Sequence, residues 1–152
     1  MTVKAGTTSA DYGLAVNNQA NSLTFFKVRG DGIVQAADDG GTLQTVGWRG
    51  TPINNQTGAY TLVPADRGKC VQLTGGSAQT ITVPSGVFSA GDVVTITAFG
   101  NGANIIAQGA SMTLFWGNGG ATTGNRTLTT IGIATIQFMN STQAVITGSG
   151  LS

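Results

Sequence analysis

The sequence contains no glutamate and no histidine, and charged side chains occupy only 9% of its 152 positions. A soluble domain usually has about 25% charged residues, and exposed helix surfaces use glutamate, lysine and arginine heavily. Glycine, by contrast, contributes 24 residues, and threonine, serine, asparagine and glutamine fill most of the remaining polar positions. This composition argues against helices and predicts an all-β protein.

The same absences remove most catalytic chemistry. Without histidine, serine and threonine have no usual general base for nucleophilic attack. Metal ligation is left to aspartate oxygens, because Cys70 is the only cysteine and it can form no disulfide within the chain. Asp38 and Asp39 are neighbours before two glycines, which is typical of an exposed loop and not of a hydrolytic carboxylate pair. We therefore predict no enzyme activity, no cofactor and no metal site.

Charge and hydropathy also limit the possible partners. Seven basic and six acidic residues give a net charge of +1, without the basic stripe that binding to phosphates requires. The apolar stretches are interrupted by Gly, Thr or Asn every few residues, so none resembles a membrane-spanning helix. The first residues show no apolar signal-peptide core. We expect no nucleic-acid partner, no membrane partner and no export through a secretion pathway.

Charge divides the chain into two predicted domains, residues 1–46 and 47–152. The first segment carries seven charged residues, whereas Asp92 and Arg126 are the only ones after Cys70. Beyond the boundary, short runs such as QTITV, VVTITAF and ATIQF alternate apolar and polar residues and are separated by glycine-rich turns. Period-two alternation puts one face of each strand in a core. We predict seven or eight strands in an antiparallel β-sandwich or small barrel.

The N-terminal segment is predicted to contain a β-hairpin arm, in which LTFFKV and IVQA flank a GDG turn. A lone hairpin is marginally stable in water. Phe25 and Phe26 would face opposite sides, so both faces of the hairpin would be apolar and would require other subunits for burial. We predict a homotrimer, since closed symmetry commonly buries a shared surface. The predicted interface residues are Leu23, Phe25, Phe26, Val28, Ile33 and Val34.

A hinge is predicted where the two segments meet. Trp48 and Arg49 would anchor it, and Pro52 with the polar run INNQTG suits a connection. The following PADRG is predicted to be an exposed turn. Met112 and Leu114 are expected in the core, and Trp116 near the glycine-rich loop is either core or exposed enough to contact a sugar.

Three motifs occur in order across this boundary: Gly47-Trp48-Arg49-Gly50, Tyr60-Thr61-Leu62 and Asp66-Arg67-Gly68-Lys69. With the later TITVP strand, they resemble a module of bacteriophage virion proteins that would cover residues 47–152. SLTFFKVRGDGIVQ is similar to a β-segment of trimeric phage fibres. The resemblance implies a homotrimeric virion part, found in such proteins as fibre tips, tail appendages or capsid decorations.

Two roles follow from this resemblance. One is a capsid decoration, or cement, protein that binds the major capsid protein on the head surface. The other is a receptor-binding tail fibre or appendage that contacts tail proteins and host surface glycan. Because an extended residue spans only about 3.3–3.6 Å, 46 residues partly folded as a hairpin would make a short stalk. This length favours capsid decoration.

Overall fold

A computed structural model describes residues 10, 12–20, 22–37, 43–46, 50–100, 102–118 and 120–152, without the side chains of Tyr12 and Gln44. The chain divides into two compact units, Met1–Gly50 and Thr51–Ser152. All the regular structure in the described residues is β-structure apart from one turn of 3₁₀ helix at Pro64–Asp66. The predicted all-β class is confirmed.

The N-terminal unit contains a four-stranded antiparallel sheet in which the strands follow the chain order. Its strands are β1 (Tyr12–Asn17), β2 (Thr24–Arg29), β3 (Val34–Ala37) and β4 (Leu43–Thr45). The predicted hairpin is β2–β3, and Gly32 takes the positive φ of 85° that its turn requires. The sequence pattern missed β1 and β4. The arm is thus a four-stranded sheet and not the predicted single hairpin, which would be marginally stable alone.

The C-terminal unit contains nine described strands in one sheet that curls into a nearly closed barrel. They are β5 (Ile53–Gln56), β6 (Tyr60–Thr61), β7 (Cys70–Leu73), β8 (Thr80–Val83), β9 (Val93–Ala98), β10 (Asn104–Gln108), β11 (Thr113–Trp116), β12 (Arg126–Asn140) and β13 (Gln143–Leu151). The main path runs β5-β7-β9-β12-β10-β8-β6, and β13 joins β12 to β11.

The predicted antiparallel architecture is wrong for this unit. From β5 to β10 the chain alternates between two half-sheets, so that β5, β7 and β9 are parallel neighbours, as are β6, β8 and β10. β11 and β13 also pair in parallel, whereas β12 pairs antiparallel with β9, β10 and β13. Side chains alternate with a period of two in both arrangements. The pattern therefore identified the strands but could not give their direction.

The polar run INNQTG, predicted to be a connection, also forms part of the sheet. Its first four residues are strand β5, which pairs in parallel with β7. Asn54 and Gln56 alternate with the exposed Ile53 and Asn55. The strand was missed because its inward face is polar, so the apolar alternation that marks a strand is absent.

The core lies between the two half-sheets and is built from the inward residues of the alternating strands. The rings of Phe88 and Phe138 stack within it, with their centroids 4.2 Å apart. Met112 and Leu114 are buried, as predicted. The largest other fully buried side chains are Leu62, Val71, Leu73, Ile81, Ile96, Ile106, Leu128, Ile136 and Ile146.

Strand β12 connects the two half-sheets by bending. Its first residues pair with β10, and its later residues pair with β9 and β13. The register with β13 shifts between Leu128 and Ile133. Within this bend Ile131 is 73% exposed and has a φ of 61°, which is a strained conformation for a β-branched residue.

Candidate functional site

The predicted interface residues of the arm do not share one face of its sheet. Phe26, Val28 and Val34 lie on one face, because Phe26 pairs opposite Ala36 and Val28 opposite Val34. Phe25 lies on the other face and is 50% exposed. Leu23 and Ile33 lie just before β2 and β3. The opposite face carries Lys27 at its centre beside apolar residues such as Phe25, so it is mixed where an apolar face was expected.

Of the predicted hinge residues, Trp48 and Arg49 lie outside the described residues, as do Asp38 and Asp39. Pro52 belongs to the barrel unit, where its carbonyl oxygen accepts a 2.9 Å hydrogen bond from the backbone N–H of Cys70. Proline is suited to this position at the start of an outer strand, where its missing N–H leaves no ladder bond unmade.

The outer face of five barrel strands presents two rows of uncharged side chains, which we name the neutral face. The rows follow from the pairing registers of β5, β7, β9, β12 and β13. The first row is Ile53, Cys70, Thr95, Thr135 and Thr147, and the second is Asn55, Gln72, Thr97, Ile133 and Ser149. Charge is concentrated elsewhere in the unit, so this surface offers hydroxyls, amides and isolated apolar groups.

A shallow open groove of about 440 Å³ lies on the neutral face. Its lining residues are Thr51, Ile53, Cys70, Gln72, Thr95, Thr97 and Ile133. The sulfur of Cys70 is 3.3 Å from Oγ1 of Thr97, and the residue is only 9% exposed. Cys70 is a buried cysteine with a free thiol. The groove can accept hydrogen-bonding groups but holds no ionised side chain.

Asp66 is 1% exposed, which corrects the expectation that PADRG is an exposed turn. Its carboxylate accepts hydrogen bonds from Nδ2 of Asn54 at 2.8 Å, from the hydroxyl of Tyr60 at 3.0 Å and from the backbone N–H of Val63 at 2.9 Å. Nε2 of Gln56 donates to Oδ1 of Asn54. Asp66 is therefore committed to joining β5, β6 and the 3₁₀ turn.

Burial raises the pKa of the Tyr60 hydroxyl above its usual value, and its hydrogen bond to Asp66 acts in the same direction. Both effects disfavour the phenolate. Burial removes the water that would stabilise its charge, and the hydrogen bond to Asp66 requires the phenol proton. Tyr60 thus acts as a hydrogen-bond donor at neutral pH. This arrangement is structural, since the Asp66 carboxylate is buried and its hydrogen bonds all hold parts of the fold together.

Three further charged side chains of the barrel unit, Arg67, Asp92 and Arg126, lie in turns or at the start of a strand. Arg67 forms an ion pair of 2.9 Å with Asp92, whose carboxylate also accepts a bond from the backbone N–H of Ser89. Arg126 is 8% exposed and its guanidinium lies 5.0 Å from the centre of the Trp116 ring. Nη1 of Arg126 donates to the carbonyl of Asn125 at 2.7 Å. Trp116 is half-buried and packs against the guanidinium of Arg126. Of the two alternatives for this residue, core or sugar contact, its position is closer to the core.

The described part of the chain contains no group of three His, Cys, Asp or Glu side chains that could hold a metal ion. It also contains no helix that is long and apolar enough to cross a membrane. The aspartates with described side chains are each engaged in local structure: Asp31 pairs with Arg29 at the hairpin turn, while Asp66 and Asp92 make the contacts given above.

Sequence reasoning missed the neutral face as a whole. Its residues are spread from position 53 to position 149 and come together only through strand pairing. One signal was available: the threonines of VVTITA and ATIQ alternate with core residues. A comparison of the sequence with known protein families finds no family model that matches it, and no curated protein matches it either.

Proposed function

We propose that this chain is a non-enzymatic structural protein of a bacteriophage virion, and that it acts as a homotrimeric capsid decoration protein. In this role it would bind the major capsid protein on the head surface and stabilise the particle. The proposal rests on the resemblance of residues 47–152 to phage virion modules and on one structural observation, which is the neutral face.

The neutral face supports docking on a protein surface. The centres of protein–protein interfaces are depleted in charged residues, because a buried charge must be paired to offset its desolvation. Ten positions in two rows across five strands carry no charge. Binding through such a surface would depend weakly on salt, since there are few charges to screen. Threonine hydroxyls are short, so few side-chain rotamers would be frozen on binding.

The docking role can be tested by placing a charge in the middle of the neutral face. Thr97→Lys should abolish binding to capsids that lack the protein, because the ammonium group would be buried without a partner. Thr82→Lys is the matched control, since Thr82 is a half-buried threonine on the outer face of β8 in the other half-sheet. Co-sedimentation with capsids measures both. Equal binding by the two variants would show that the neutral face is not the docking surface.

The location on the particle is tested on purified virions. We expect many copies on the head surface by quantitative gel densitometry and by imaging of a labelled copy. Capsids without the protein should rupture at a lower temperature. A few dozen copies confined to the tail would replace this role with that of an appendage.

The second candidate is a receptor-binding tail fibre or appendage that contacts tail proteins and host surface glycan. The groove favours it, because the amide of Gln72 and the hydroxyls of Thr95 and Thr97 can bond to sugar hydroxyls. Glycan-array binding that Gln72→Ala removes would support this role. In either role we expect no release of reducing sugar from host polysaccharide. Turnover that Asp66→Asn or Asp92→Asn abolishes would show that the protein is an enzyme.

A further inference from the structure

The two faces of the arm sheet differ in chemistry. On one face the register gives the row Leu14–Val28–Val34 and the row Val16–Phe26–Ala36, the second of which continues to Gln44 of β4. The six side chains that β1, β2 and β3 contribute are all apolar, and we name the surface they form the apolar face. Leu14 is 51% exposed and Val16 is 47% exposed. Cross-strand neighbours of this kind form a continuous patch because their Cβ atoms are only about 5 Å apart.

The opposite face is polar at its centre, although Phe25 and the pair Ala37–Leu43 also lie on it. The row Ala15–Lys27–Gln35–Thr45 crosses all four strands there. Arg29 follows Lys27 by two residues in β2 and pairs with Asp31 at the hairpin turn. Every described charged side chain of this unit therefore lies on the polar face or at the turn, and the apolar face carries none.

The part of the arm sheet that the structure describes has no buried core. Among the described residues 10–46, no side chain is buried, whereas the barrel unit has many that are fully buried. A β-sheet with one apolar face becomes stable by packing that face against a second layer. Covering the exposed half of side chains of this size contributes roughly 1 kcal/mol each. Leu14 and Val16 are exposed to this extent, and the partly buried Phe26, Val28, Val34 and Ala36 add less each, so the face as a whole favours association.

We propose that the apolar face is the self-association surface of this protein, and that it packs against the same face in other copies of the chain. An uncharged apolar surface is complementary to itself, with no ion pair to form or break. The neutral face of the barrel is a poorer match, because its threonine hydroxyls and amides would be buried beneath leucine and phenylalanine without partners. The number of copies, three, rests on the proposed function, but the choice of face does not.

Two neighbouring phenylalanines provide a matched test. Phe26 lies on the apolar face and Phe25 on the polar face of the same strand. Light scattering of the full chain at micromolar concentration should show a trimer for the wild type and for Phe25→Ser, and a monomer for Phe26→Ser. The urea transition of the barrel unit should be unchanged in both variants. A monomeric wild type, or dissociation by Phe25→Ser but not by Phe26→Ser, would overturn the proposal.

Cross-linking keeps the test valid if Phe26→Ser unfolds the arm. In a Cys70→Ser background, Val16→Cys should be joined between copies by a short bismaleimide. Ala15→Cys, which precedes it on the polar face, should not be joined. Cross-linking of Ala15→Cys alone would show that the polar face is the contact. Purified protein is used throughout, so a trimer that is absent from phage heads would refute only the capsid role.

Discussion

The hydroxyl of Tyr60 lies 3.0 Å from Oδ2 of Asp66 and donates a hydrogen bond to it. Oδ1 of the same carboxylate accepts a bond from Asn54 at 2.8 Å. Tyr60 belongs to β6 and Asn54 to β5, which are the two ends of the barrel's main strand path. The described backbone hydrogen bonds do not pair β5 with β6. The buried Asp66 carboxylate joins these two strands through side-chain hydrogen bonds instead.

Removing this carboxylate should weaken the junction between β5 and β6. Asp66→Ala leaves the donors of Asn54, Tyr60 and Val63 buried without an acceptor, so the free energy of unfolding should fall by about 3 kcal/mol. Urea denaturation measures the change. Asp92→Ala is the control, because its ion pair with Arg67 is partly exposed and should be worth about 1 kcal/mol or less. Equal decreases in the free energy of unfolding for the two variants would show that Asp66 does not hold β5 and β6 together.

The raised pKa of Tyr60 predicts a pH dependence at the alkaline end. Because the hydroxyl loses its proton more readily in the unfolded chain, the folded state holds more protons above pH 10. The contribution of Tyr60 to stability is present below about pH 10, the ordinary tyrosine value, and is lost as the pH rises through the folded pKa. Urea titrations from pH 8 upward should show a steeper loss for the wild type than for Tyr60→Phe. Parallel curves would contradict the prediction.

The strained bend of β12 should tolerate a better-suited residue. Asparagine adopts positive φ more readily than isoleucine, so Ile131→Asn should raise the free energy of unfolding by about 1 kcal/mol. The exposed side chain of Ile131 loses little packing on replacement. Ile133→Asn, two residues later in the same strand, is the control and should not stabilise. Destabilisation by Ile131→Asn would mean that Ile131 makes a contact in solution that compensates for its backbone strain.

Strands β12 and β13 approach closely at Gly148, which pairs opposite Ala134. A Cβ at position 148 would lie 2.0 Å from the carbonyl oxygen of Ile133, so the backbones would have to separate. Gly148→Ala should lower the free energy of unfolding by about 2–3 kcal/mol. Gly58→Ala meets no atom within 4 Å and serves as the control. A neutral Gly148→Ala would show that the two strands can shift freely.

The guanidinium of Arg126 has no carboxylate partner among the described residues, and its Nε and Nη2 are buried without acceptors. Arg126→Met keeps an apolar contact with Trp116 and removes the buried charge, so the free energy of unfolding should rise by about 1 kcal/mol. Thermal and urea unfolding report the change. A decrease of similar size would show that these nitrogens find acceptors in solution.

How much the sequence could predict depends on the range of the interaction involved. The all-β class, the β2–β3 hairpin and runs such as TITV and VVTITA follow from composition and from alternation within a few residues. The opposite orientation of Phe25 and Phe26 follows in the same way, because successive strand residues point to opposite faces. These properties were determined by the sequence alone.

Only the tertiary structure decided strand direction, register and burial. The parallel winding of β5 to β10 has the same local period as an antiparallel sheet, so no short window could reveal it. The sequence around Asp66 predicts an exposed turn, and only the fold brings Asn54 and Tyr60 into contact with its carboxylate. The neutral face and the apolar face exist only because residues far apart in sequence share rows across paired strands. Pairing between distant strands decides which side chains are in contact, and the pattern within one strand does not identify the strand with which it pairs.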